Sequence, residues 1–176
     1  MNIQSECIMI KIFGSRGEIS NVDIFLKKIS DFSKKNNVTI QSFNADLIFG
    51  KNHLLSSIEH AKRAFENKTN TCNTLEMEIL LYASGKRQLK HAIPKMGIKK
   101  GNVKAVFVML NNNKIDRNLI KNLLEKIEFE RDDKVIQGDI NNLKKFGIKD
   151  SEIETVSKDR YSDLILEKVA MVDIIK

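Results

Sequence analysis

The sequence holds a single proline, Pro94, and eight glycines, and no stretch rich in either divides it. A chain of 176 residues with no such linker, no repeat and no low-complexity tract is expected to fold as one domain, residues 1–176. Cysteine is equally scarce. Cys7 and Cys72 stand far apart and in no metal-ligand spacing, which speaks against a disulfide framework or a zinc module and for reduced thiols in a cytoplasmic protein. No apolar run approaches the ~20 residues that a membrane span needs. The opening "MNIQSECIMIKIFG" has no basic region and no cleavage site, so neither a membrane anchor nor a secretory signal is expected.

The most telling absence is of acids. Between Glu78 and Asp116 there is no aspartate or glutamate, while Lys86, Arg87, Lys90, Lys95, Lys99, Lys100, Lys104 and Lys114 all fall in that interval. These eight cations give the segment +8, so the rest of a chain of net charge +7 carries −1. A positive excess confined to one segment is either a solvated lysine-rich surface or the footprint of a polyanion partner, and the second reading is the sharper one.

What is present reads as alternating strands and helices. "CIMIKIF" (Cys7–Phe13) is a β-branched run bounded by Gly14, and "VTIQSF" (Val38–Phe43) alternates, with "DLIFG" as a short extension. Ser20 with Asp23 opens a helix carrying Val22, Phe25, Leu26, Ile29 and Phe32. Leu54, Ile58, Ala61 and Phe65 step along one face of the next. Asn73 and Glu76 resemble a capping box for a helix Leu75–Ser84, which Gly85 ends in a left-handed conformation. Leu89, Ala92, Ile93 and Met96 mark a short amphipathic helix that Pro94 distorts or kinks. "VKAVFVML" (Val103–Leu110) is a strand apolar enough to be buried on both faces. Helical patterns follow at Ile115–Ile127, Ile140–Phe146, Ile153 and Arg160–Ile175. Together they predict an α+β fold, a small and mostly antiparallel sheet covered by helices.

The basic segment contains "YASGKRQ" (Tyr82–Gln88), whose Gly-Lys pair invites a nucleotide-binding reading. A P-loop needs glycine five positions earlier and a serine or threonine after the lysine, and Leu80 and Arg87 stand there. A helix-turn-helix fits better, with Gln88, Lys90 and His91 projecting from its second helix, although that helix is barely two turns long. His53, His60 and His91 have no zinc spacing, no nucleophile–base pair is evident, and neither a metal nor a cofactor is expected. A third reading is an anion grip. Gly85 lets a ligand approach the backbone, the amides opening the second helix face outwards, and Lys86 and Arg87 add charge. Tyr82, one turn before Lys86, either offers its ring to a base or serves the core with its hydroxyl satisfied.

The stretch "NTLEMEILLYASGKRQLKHAIPKMGIKKGNVKAVFVML" (Asn73–Leu110) resembles the small regulatory subunit of the KEOPS complex, the PRPK-binding-protein family. The shared pattern is a Thr-Leu start, a Glu-Ile-Leu helix, a Ser-Gly-Lys-Arg-Gln-like turn, an "AI..FGI" helix and an apolar strand. "FGKNHLLSSIEHAKRAF" is similar to the helix that precedes it. Pro94 stands where a helix former is usual, and Met96 replaces the usual phenylalanine. The resemblance implies a non-enzymatic subunit of the complex that makes threonylcarbamoyladenosine in tRNA. Such a subunit binds and stimulates an atypical small kinase/ATPase, meets the KEOPS catalytic subunit only indirectly, and captures the tRNA 3′ CCA tail. The candidate RNA contacts are then Tyr82, Ser84, Gly85, Lys86, Arg87, Gln88 and Lys90. For the kinase, Leu164–Ile175 has nine apolar residues in twelve, more than burial on one face requires. That helix either sinks into its own core or meets a partner. With the family's kinase contact the second is expected, through Leu164, Met171, Ile174 and Ile175.

Overall fold

A computed structural model describes residues 8–112 and 114–175. Its centre is a four-stranded antiparallel sheet in the order β2-β3-β1-β4. Strand β3 (Gly101–Asn111) lies between β2 (Thr39–Asn44) and β1 (Met9–Ile19). Its residues Ala105–Leu110 are all buried, because helices cover both faces of the sheet. Ala105, Phe107 and Met109 point to one core, with α1 (Val22–Asn36) and α5 (Arg117–Ile127). Val106, Val108 and Leu110 point to the other, with α2 (Gly50–Glu66), α3 (Leu75–Ser84) and α8 (Tyr161–Ile175). The strand's two-residue period thus feeds two cores at once. The expected α+β class and antiparallel sheet are what the structure has.

Several local expectations need correction. Gly14 does not end β1; the strand runs on to Ile19. An added Cβ at Gly14 would collide with Asp132 and Val135, and one at Gly17 with the ring of Phe129. These glycines therefore admit a crossing segment and are not stops. That segment supplies β4 (Glu130–Arg131), which pairs with Ser15 and Arg16 and gives no sequence signal. Two residues cannot show a period. "DLIFG" does not extend β2 but turns into a 3-10 helix, Ala45–Leu47. The cap of α1 is Asn21, not Ser20: its Oδ1 accepts the Ile24 amide at 3.0 Å. Cys7 lies outside the described residues.

At α3 the boundaries are as expected, but the capping box is not made. Thr74 precedes the helix without a side-chain cap. Glu78, wholly buried, reaches back instead, accepting the amides of Thr71 at 3.0 Å and Cys72 at 2.7 Å. A buried carboxylate that satisfies loop amides is costly to remove. Glu78→Ala is expected to lower folding stability by ~3 kcal/mol in a urea titration, with the loop at residues 69–74 becoming protease-sensitive first. An unchanged midpoint would refute that role.

Candidate nucleic-acid and partner interfaces

The turn after α3 is built from the inside. From Glu78 to Ser84 every residue of the helix is buried, between the sheet, α2 and α8. It stops at Gly85, whose φ of 61° is left-handed and where a Cβ would crowd Lys168 and Phe146. Ser84 Oγ donates to Leu81 O at 2.7 Å and accepts the Lys86 amide at 3.0 Å. Lys95, from α4 (Leu89–Met96), sends its ammonium beneath the turn. Its Nζ donates to Ser84 O at 2.9 Å and sits 3.4 Å from the centroid of the Phe146 ring. A cation on the last carbonyls of α3 complements that helix end. Burial, and then the nearby Lys86 charge, lower the Lys95 pKa to about 8.

Around this clamp Lys86, Arg87, Gln88, Lys90 and His91 are all exposed. None of Lys86, Arg87 and Lys90 has a carboxylate within ion-pair distance among the described residues. Gln88 precedes α4 without capping it through its side chain. The amides of Leu89 and Lys90, which open that helix, have no acceptor among the described residues. Pro94 is accommodated in the second turn of α4, on its exposed side. The arrangement is a rigid corner that offers cations and amides to solvent.

Two of the candidate RNA contacts are corrected. Tyr82 is fully buried. Its hydroxyl donates to Asp173 of α8 and its ring lies 5.3 Å from that of His60, so it has no face to offer a base. Burial, and the Asp173 carboxylate, hold its pKa well above the usual phenol range. Ser84 is also fully buried and serves the turn. The helix-turn-helix alternative keeps its second-helix residues Gln88, Lys90 and His91 at the surface, while its first helix would be α3, buried from Glu78 to Ser84.

The C-terminal helix is divided along its length. Leu164, Ile165, Val169 and Val172 are buried in the domain's own core, so the expectation that Leu164 meets a partner is corrected. Met171 is 38% and Ile174 74% exposed. Ile175 ends the helix, and its side chain lies outside the described residues. Asp173, between the exposed positions, holds this end down. Besides Tyr82, its Oδ2 accepts from His60 Nδ1 at 2.6 Å, and Arg63 stands 4.0 Å away. Residues 60, 63, 82 and 173 give no joint sequence signal. Only their helical phases, combined with the packing of three helices, bring them together.

A basic corner and an apolar helix end, on different elements, define a protein with two candidate binding surfaces. The family model described as "Kinase binding protein CGI-121" matches residues 18–173, and the chain belongs to that family. It is 32% identical over 136 residues to the "Regulatory protein Cgi121" of Methanocaldococcus jannaschii, covering 77% of this chain and 84% of that protein. The family assignment agrees with the resemblance read from Asn73–Leu110 and supports a kinase-binding regulatory role.

Proposed function

We propose that this chain is a non-catalytic KEOPS subunit, cytoplasmic, that binds and stimulates the complex's atypical small kinase/ATPase and holds the 3′ CCA end of tRNA. Its association with the KEOPS catalytic subunit is indirect. Membership of a kinase-binding family supports the first role. The kinase contact would be the apolar end of α8 at Met171, Ile174 and Ile175. The RNA role rests on one observation: exposed cations at Lys86, Arg87 and Lys90 surround a glycine turn and the amides of Leu89 and Lys90, which have no acceptor among the described residues. A single-stranded end is held by such backbone contacts at a compact corner, whereas a duplex needs a longer surface.

Charge reversal at Lys86 and Arg87 is expected to weaken tRNA binding and to reduce the slope of log affinity against log salt by about 1.4, near 0.7 for each single-strand phosphate that is no longer neutralised. Removing the CCA nucleotides is expected to abolish most binding to the native chain. Unchanged affinity and slope in the folded variant would overturn the RNA reading. Tight, sequence-specific binding of duplex DNA would favour a DNA-binding regulator instead.

A further inference from the structure

A second concentration of positive charge lies at the far end of α4, away from the glycine turn. The loop leaving α4 and the start of β3 carry Lys99, Lys100 and Lys104, which line an open groove of about 380 Å³ with Lys145 of α6 (Ile140–Phe146). Asp46 is the acid in its lining and is already paired with Lys145 at 2.7 Å. Lys145 is placed there by local structure. Asp139 caps α6, and the side-chain amide of Asn142 reaches the carbonyls of Ala45 and Asp46 at 3.2 and 3.1 Å, pinning the helix to the turn after β2.

Folding alone does not account for the three remaining lysines. Lys104 stands directly opposite Arg16 in the β1–β3 ladder, a like-charge pairing that opposes strand association. Arg16 is relieved by Asp132. Lys99, Lys100 and Lys104 have no carboxylate within ion-pair distance among the described residues. Their mutual repulsion is therefore left uncompensated inside one concavity, where it concentrates a positive field.

We infer that this groove is a second phosphate-binding site, which takes the RNA backbone next to the tail held at the glycine turn; it rests on the RNA reading above. The geometry favours an extended polyanion over a single small phosphate. α4 has eight residues, so the two cationic sites are separated by a helix of ~12 Å. That span covers several successive phosphates of one strand and not a single phosphate. A row of lysines also suits a succession of phosphates, each met by one flexible ammonium.

The test uses the full chain and two RNA probes, a complete tRNA and a short single-stranded oligonucleotide ending in CCA. In the variant Lys99→Ala/Lys100→Ala/Lys104→Ala, the log–log salt slope for complete tRNA should fall by about 2.7, near 0.9 for each of three duplex phosphates. Equivalently, the native chain's advantage over the variant should shrink ~40-fold between 50 and 200 mM salt. Binding of the short oligonucleotide should be unchanged. Lys86→Ala/Arg87→Ala should weaken both probes, which separates the two sites. All five positions are exposed, and an unchanged thermal transition confirms folding. The groove proposal is overturned if the triple variant binds complete tRNA with native affinity and slope, or if it loses the short oligonucleotide equally. It is also overturned if tripolyphosphate binds the groove while tRNA affinity is unaffected by the variant. A native chain that retains neither RNA overturns the underlying RNA reading.

Discussion

Replacing Ile174 by glutamate is expected to weaken kinase binding by ~2 kcal/mol or more, about 30-fold, while leaving the thermal transition of the isolated chain nearly unchanged. The asymmetry comes from where this side chain sits. At 74% exposure, Ile174 contributes little to the domain's own core, so a carboxylate there remains solvated in the free protein. Once the end of α8 is covered by a partner, that carboxylate becomes a buried charge without a counterion, and the penalty falls on the complex alone. Met171→Glu should act in the same direction. Leu164→Glu supplies the contrast. Leu164 is 7% exposed and lies in the main core, so its replacement should unfold the chain before any question of partner binding arises. Binding to tRNA should survive in Ile174→Glu, because the cationic turn belongs to other elements. Calorimetry of the kinase titration, beside a melting curve, checks both halves. Loss of folding in Ile174→Glu, or native kinase affinity in both exposed-site variants, would move the docking surface elsewhere.

The second large effect is of pH on stability and centres on His53. It is buried under the turn, with Nε2 bound to Ala83 O at 2.9 Å and Nδ1 accepting the Phe49 amide at 3.3 Å. Both bonds together require the neutral tautomer with its proton on Nε2. Protonating Nδ1 would set it against the Phe49 N–H. Burial, opposed by the bond to Ala83 and reinforced by the Lys95 charge, lowers the pKa from 6.5 to about 4. The unfolded chain therefore binds a proton at His53 across a range in which the folded chain does not. The stability contributed by the neutral ring is complete above pH ~6.5 and is lost as pH falls towards about 4. Between pH 7 and pH 4.5 this amounts to roughly 2–3 kcal/mol, at ~1.4 kcal/mol per pH unit below 6.5. Urea titrations at the two pH values should show that loss in the native chain. In His53→Gln, which is less stable at pH 7 but does not titrate, the drop should be smaller by that amount. Equal drops in both proteins would show that His53 is not the group responsible.

The same region illustrates how far the sequence alone reaches. Helix α3 is legible at both ends, and so are the stop at Gly85, the short helix α4 and the two-faced strand β3, because each is announced by neighbours in the chain. A left-handed glycine, an i, i+3, i+4, i+7 series and an unbroken apolar run are local signals. Gly14 misleads for the complementary reason. Glycine serves equally as a terminator and as a point of close approach, and only the crossing of Phe129–Val135 over β1 shows which applies. Ser20 and Asn21 are both residue types that cap helices, and it is the second that accepts the Ile24 amide.

The candidate surfaces divide along the same line. The sequence determined that positive charge concentrates between Ile79 and Ile115, because charge is a property of composition and no fold can remove it. It determined the glycine corner within that charge, because backbone preference is local. Tertiary structure decided which side chains remain available there. Tyr82 and Leu164 are open to a surface or a core reading in a one-dimensional pattern, and each turns inward, because the helices carrying them are packed on more faces than a periodicity can specify. Lys95, one cation among eight in sequence, is drawn under the turn to meet Ser84 O and the Phe146 ring. Lys145 and Asp46 join the groove although they are 99 residues apart, through the docking of α6 on the turn after β2. Burial and long-range proximity depend on how whole elements pack, and that information is spread over the chain and not written at the residues it governs.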